Sequence, residues 1–450
     1  MSWWRRTGCV HRCRLPPLAD RFPPYLKTKK WTPAVYEIKN VLRDYAWGST
    51  TAIAGLLGQP ESGRPEAELW IGAHPDSPSV AHRADGSEVP LDKLIAEDPE
   101  HFLGAESVAG FGPRLPFLTK VLAAAQPLSL QVHPSIEQAR AGFARENAEG
   151  IASDAVNRNY RDDNHKPEMI FALTPFEALC GFRPAAESRA IFEHLAAAFD
   201  AVEADRPEVL AELVNDLSNP DEGAGLRDAF ERLISGGPAV AGATALVAGV
   251  LVSGASRDPY RSELSAVLSL NEKYPGDPGV LISLLLNRIS LAPGEAVYLP
   301  AGNVHAYLHG MGVEVMASSD NVLRGGLTPK FIDVPELLRT IEFKAVAVPL
   351  LTPEVSALGQ ELYQPPFREF QLQRIELEPG AAPVPLAQSG AAVVIVLGGS
   401  VYLDSPKGDL QLSRGGSAFL AASEAPVNVH PVAGAHEQAV AFAVTTSMKA

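Results

Sequence analysis

Four short stretches of this chain carry side chains whose types and spacing could do chemistry together. They are LSLQVHPS at 128–135, DDNHKPEM at 162–169, PAGNVHAYLHG at 300–310 and NVLRGGLTPK at 321–330. Between them they offer Gln131, His133, Glu168 and His305: an amide, a carboxylate and two imidazoles. Such a shell suits Zn2+ with a position left for water or substrate, and the lack of a thiolate argues against a closed structural site. Lys166, Arg324 and Lys330 lie close by in sequence and are cations suited to a phosphate. A metal beside an anion clamp suits an enzyme acting on a small phosphorylated molecule.

The elements that hold these groups can be read from periodicity. In LSLQVH, Ser129, Gln131 and His133 are two residues apart and share one face of a strand, while Leu130 and Val132 face a core. Lys166 and Glu168 show the same spacing around Pro167, which puts a cation and an anionic ligand toward one pocket. Gly294, Pro300, Gly302 and His305 fit the second cupin motif, in which Pro and Gly build the turn that aims the histidine strand.

From about 35 to 135 the chain reads as short strands and turns, for example ELWIGAH at 68–74. Between about 186 and 285 apolar residues recur three and four apart, as in SRAIFEHLAAAFDAV, and the spacing predicts helices. Strand signals return at 288–316 and continue to the C-terminus. LAPGEAVYLPAGNVHAY at 291–307 is faintly repeated by LSRGGSAFLAASEAPVNV at 412–429, where the histidine and the Pro-x-Gly turn are gone. The expected fold is mainly β with a helical insertion: cupin-like jelly-roll domains, one catalytic and one C-terminal, and an α-helical domain. Its parts are a basic, disordered extension over 1–34, a catalytic cupin over 35–185 and 286–350, the helical insertion over 186–285, and a C-terminal jelly roll over 351–450.

Composition narrows the function classes. A net charge of −15 argues against a nucleic-acid surface. Three cysteines in 450 residues exclude a disulfide framework and suit a reducing cytosol. Cys9, His11 and Cys13 lack a second ligand pair, and Cys180 reads as a small buried residue. The basic first thirty residues resemble a transit peptide in charge but not in serine content or period, and read as a disordered extension or a mis-assigned start. The uncharged run at 233–256 is long enough for a bilayer, but its small residues and Pro238 favour a buried helix pair.

The chain resembles the type I phosphomannose isomerase family from about Val35 to its end. The matching segments are DYAWGS at 44–49, EAELWIGAHP at 66–75, PFLTKVLAAAQPLSLQVHPS at 116–135, DDNHKPEM, PAGNVHAYLHG and EVMASSDNVLRGGLTPK at 314–330. The resemblance implies a zinc-dependent, cupin-type enzyme that interconverts mannose 6-phosphate and fructose 6-phosphate, with one zinc per chain. It implies Gln131, His133, Glu168 and His305 as zinc ligands and Arg324 as the active-site arginine. It places Lys166 and Lys330 at the substrate pocket, lined also by Lys120, Ser129, Glu314 and Tyr307. His309 departs from the broader cupin pattern, which often has asparagine there.

An aldose–ketose isomerase moves a proton between carbons 1 and 2, usually through a cis-enediol, so charge developing on both oxygens needs stabilising. Glu314 is the expected base, with Lys166 as its rival. Two other classes stay open at this stage. One is an iron oxygenase using His133, Glu168 and His305, and the other is a non-catalytic sugar-binding cupin. A fused nucleotidyltransferase is disfavoured, because no Gly-rich phosphate loop is present. A small sugar phosphate is the expected partner of a cytoplasmic monomer, with no nucleic acid or membrane involved.

Overall fold

The computed structural model describes residues 35–447. The Cys9–His11–Cys13 group and the basic extension lie outside the described residues.

The strand His305–Ala317 organises the metal-bearing sheet. Its first half pairs antiparallel with Phe176–Phe182, and its second half pairs with Phe117–Ala124 on one side and Glu168–Ala172 on the other. Between the halves the register slips after Tyr307, and Gly310 adopts a φ of 123°. A Cβ at Gly310 would lie 2.6 Å from the Pro175 carbonyl oxygen, so only glycine lets the strand bend there. Gly310→Ala is expected to cost roughly 2–4 kcal/mol, from left-handed strain plus the backbone clash. Urea unfolding at fixed zinc would measure that loss, and an unchanged midpoint would mean the bend tolerates a side chain.

Alternation along these strands sorts chemistry from core. Glu168, Ile170 and Ala172 lie on one face, with Ile170 and Ala172 in an apolar cluster that includes Leu122, Ala124, Phe176 and Tyr307. Lys120, Leu122 and Ala124 repeat the pattern on the neighbouring strand. Each strand therefore carries polar groups at one end of its inner face and an apolar floor at the other. Met169, Phe171, Val313 and Val315 face the opposite way, into a second core shared with Phe370, Leu372, Val393, Ile395, Phe442 and Val444.

That second core joins the metal-bearing sheet to a nine-stranded sheet, six of whose strands come from the last hundred residues. The strand Ala392–Gly398 buries Val393 and Ile395 there, and Val394 and Val396 against a four-stranded sheet behind it. Burial on both faces explains why AVVIVLG is continuously apolar instead of alternating. Val35–Lys39, the first described strand, also belongs to the nine-stranded sheet, pairing with Ser417–Leu420. The faint repeat corresponds to similar local structure: Ala296–Leu299 and Ser417–Leu420 each follow a strand and a turn whose glycine, Gly294 or Gly415, has positive φ.

Helices fill the expected interval, including Ala185–Ala201, Glu208–Asp216, Glu222–Ser235, Gly237–Val252 and Arg261–Lys273. Their apolar faces share a core with Leu130 and Val132, as strand alternation predicted. The uncharged run at 233–256 forms the end of Glu222–Ser235 and the whole of Gly237–Val252, which meet at a bend of 96°. Val240, Ala243, Val247 and Leu251 of the second helix are buried in that core. Among the described residues no single helix is long and apolar enough to cross a membrane.

Candidate metal centre and anion pocket

Three of the four expected ligands converge. His133, Glu168 and His305 are 1%, 3% and 3% exposed, and their ligand atoms all lie within 4.8 Å of one another. The Nδ1–H of His133 donates to the Asn321 carbonyl at 2.7 Å, and that of His305 to the Asn303 carbonyl at 3.0 Å. Because a carbonyl can only accept, both rings carry their proton on Nδ1 and turn a bare Nε2 inward. Those Nε2 atoms face the two oxygens of Glu168, at 3.4 and 3.3 Å.

Two lone pairs and a carboxylate aimed at one point repel unless a cation lies among them, and the buried Nε2 of His133 has no hydrogen-bond partner. Gln131 pairs in register with His305, so its side chain emerges on the same face. Two imidazoles, a carboxylate and an amide oxygen fit zinc. Burial pushes His133 down to about 4, against the pull of Glu168, which keeps the ring neutral as a ligand must be. Burial alone would raise Glu168, but Lys166 and then His133 outweigh it and hold the carboxyl well below its usual range.

The surrounding chain is pinned to this centre. Helix Ile136–Ala148 begins three residues after His133 with a capping box, Ser135 and Gln138 each bonding the other's backbone N–H. Gly302 N–H donates to the His133 carbonyl at 2.9 Å, tying the turn before His305 to the other histidine. Asn321 is fully buried, and its Oδ1 accepts from Arg161 N–H at 2.7 Å. Its Nδ2 donates to the Asp162 and Asn164 carbonyls, both at 2.8 Å. One asparagine thus fixes the loop before Glu168 and the tautomer of His133.

Arg324 pairs in register with Gln131, on the side away from His305. Neighbouring strands are ~4.8 Å apart, so Arg324 starts about 10 Å from the His305 backbone. The loop after it is held from the helical block. Asp277 accepts from Leu327 N–H at 2.7 Å and Thr328 N–H at 3.2 Å, and a Cβ on Gly326 would meet Gly279 Cα at 2.8 Å. The second glycine of RGGLTPK therefore permits a close approach of two backbones.

Arg324 opens on a cavity of about 590 Å³, also lined by Gln131, Ser129, Lys120, Lys166 and Lys330. Not every expected residue reaches it. Tyr307 is buried against Phe176 with ring centroids 5.2 Å apart, and Glu314 lies behind Lys120, its Oε2 2.8 Å from Nζ; neither is on the cavity wall. Lys166 lines the cavity, but its Nζ is 2.9 Å from Glu168 Oε1, so it belongs to the metal centre more than to an anion clamp.

Several wall residues escaped the sequence reading. Glu68 and Trp70 stand two apart on one strand, and the indole N–H donates to Glu68 at 2.7 Å. The other oxygen of Glu68 is 3.6 Å from Lys120 Nζ, and Lys120 lies over the Trp70 ring at 5.3 Å. The i, i+2 spacing that singled out Gln131 and His133 applies equally here and would have found them. Arg43 and Arg161 also line the cavity.

Residues 35–185 match the family model described as phosphomannose isomerase type I, catalytic domain. The mannose-6-phosphate isomerase of Escherichia coli K12 is 41% identical over 393 residues, spanning 87% of this chain and 95% of that protein. That of Homo sapiens is 34% identical over 420 residues, spanning 87% and 94%. Among solved structures, a variant of the phosphomannose isomerase of Salmonella typhimurium aligns with a TM-score of 0.81 at 35% identity, over 92% of this chain and all 100% of its own. A zinc-bound mannose 6-phosphate isomerase aligns with a TM-score of 0.80 at 35% identity, over the same shares.

Proposed function

The chain belongs to the type I phosphomannose isomerase family, and we propose that it carries out the isomerisation in the cavity walled by Gln131, Lys120 and Arg324. It is a zinc-dependent isomerase interconverting mannose 6-phosphate and fructose 6-phosphate. The observation that carries the reading is the pair of bare Nε2 atoms turned on Glu168, one strand away from Arg324.

His133, Glu168, His305 and Gln131 would hold one zinc per chain, which supplies Lewis acidity for oxygens on carbons 1 and 2. Lys120 and Glu314 handle the proton in a cis-enediol route. Lys120 presents its ammonium at the cavity wall, and Glu314 sits directly behind it. Burial raises the proton affinity of Glu314 despite the opposing pull of Lys120, which is the direction a general base near neutrality requires. Lys166 is the weaker candidate, because freeing its lone pair would mean breaking its ion pair with a ligand. Arg324 and Lys330, with Ser129, take the phosphate and orient the sugar toward Gln131. A coupled assay on the zinc-loaded chain tests this reading. It should form fructose 6-phosphate from mannose 6-phosphate, and no turnover at saturating substrate would refute it.

The polar-mouthed, apolar-floored strands support a cupin jelly roll over 35–185 and 286–350, interrupted by the helical insertion over 186–285. The last segment, 351–450, is the second jelly roll and is structural. His430 pairs with Asp404 at 3.3 Å in the four-stranded sheet. His430→Ala should leave kcat within roughly twofold of wild type, as expected for a surface change distant from the site. A loss comparable to that from His305→Ala would give this domain a part in the chemistry. A net charge of −15 supports a small sugar phosphate as partner in place of nucleic acid, and the scarcity of cysteine supports the cytoplasm.

A further inference from the structure

We infer that Arg161 is a substrate-positioning residue, the outer member of a three-cation clamp with Arg324 and Lys330 that grips the phosphate of the sugar. The inference rests on the sugar-phosphate reading above and adds a residue to it. Arg161, Arg324 and Lys330 line the same cavity. Arg324 is half-buried, whereas Arg161 and Lys330 are exposed, so the cations run from the interior to the rim.

Among the described residues none of the three side chains has a carboxylate within ion-pairing distance. This contrasts with three other cations of the wall, while the fourth, Arg43, is held by the Ser77 hydroxyl and the Tyr45 and Trp70 rings. Arg158 is tied to Glu146 at 2.9 Å and to three further oxygens, Lys120 to Glu314, and Lys166 to Glu168. Neighbouring like charges left unneutralised destabilise one another, and an anion between them removes that cost. Arg324 is held below its usual range by burial and then by Arg161, and Lys330 by burial and then by both arginines, which places the three within one another's field.

Arg161 is also fixed in place. Its N–H bonds Asn321 Oδ1, and the carbonyl of that asparagine accepts from His133. The backbone that carries the outer cation is therefore locked to the metal centre, so the clamp and the reacting end of the sugar keep a set separation.

Arg161→Ala in the full-length, zinc-loaded enzyme tests the assignment. Loss of one charge-assisted contact should raise KM for mannose 6-phosphate and the inhibition constant of inorganic phosphate together, each by roughly ten- to a hundredfold, with kcat and zinc content near wild type. Arg161→Lys should restore part of both. Isomerisation by wild type with unchanged KM and phosphate inhibition in Arg161→Ala would overturn this proposal alone. A fall in kcat with unchanged phosphate inhibition would also overturn it, since that would make the residue structural. No isomerisation by wild type would instead remove the reading beneath it.

Discussion

His305→Ala should strip the protein of zinc and of activity together while leaving it folded. The side chain has one polar contact besides the centre, its Nδ1–H to the Asn303 carbonyl, and its Nε2 is aimed at Glu168. Removing the ring leaves His133, Glu168 and Gln131, with the carboxylate still neutralised by Lys166. The fold is spared because backbone pairing of the strand with Cys180 and Gln131 does not involve the imidazole. Zinc after dialysis should fall below about a tenth of an equivalent, and turnover below about 1% of wild type, because a site missing one imidazole binds far more weakly. Metal analysis beside circular dichroism checks both halves. Full zinc occupancy in the folded variant would sink the ligand assignment.

How much of this site was legible in the sequence follows from which residues are neighbours along the chain. Gln131, His133, Leu130 and Val132 were sorted correctly because strand alternation is a local rule, and the helices of 186–285 because their apolar period is local too. Cys180 was read as buried, and it is. What periodicity does not encode is which distant segments meet. Val35–Lys39 lies beside Ser417–Leu420 in one sheet, a pairing chosen by tertiary packing. The same limit applies to charge. Lys166 and Arg161 are both cations of one loop, yet the first is spent on Glu168 and the second is left unpaired at the cavity rim. Sequence alone grouped Lys166 with the phosphate cations, since nothing local says which partner a lysine will find. The family resemblance implies Glu314 and Tyr307 as pocket-lining residues; the structure puts one behind Lys120 and the other in the apolar floor.

Arg324→Ala is the prediction on which the main functional reading depends. The guanidinium is half-buried, has no carboxylate partner among the described residues, and stands one strand from the ligand Gln131. Arg324 shares its cavity with the ligand Gln131, and a guanidinium and a metal there repel one another, a cost that a substrate anion between them removes. Its removal should lower kcat/KM by roughly a hundred- to a thousandfold, the usual effect of deleting a donor that stabilises developing charge in a closed site. Zinc should stay bound, because Arg324 is no ligand and its strand partner Gln131 keeps its backbone bonds. The form of the loss separates two roles. A fall mainly in kcat means the guanidinium stabilises the enediolate, and a rise mainly in KM means it holds the phosphate equally in ground and transition states. Arg324→Lys should recover only part of the activity, because an ammonium lacks the planar fork that engages two oxygens at once. Comparison with Arg161→Ala sharpens the distinction: if both lie on the phosphate, both raise the inhibition constant of inorganic phosphate. Should only Arg161→Ala do so, Arg324 acts at the carbon 1 and 2 end of the sugar. Near-normal kinetics of Arg324→Ala on mannose 6-phosphate would leave the cavity without the cation its chemistry requires, and the proposed site would fall.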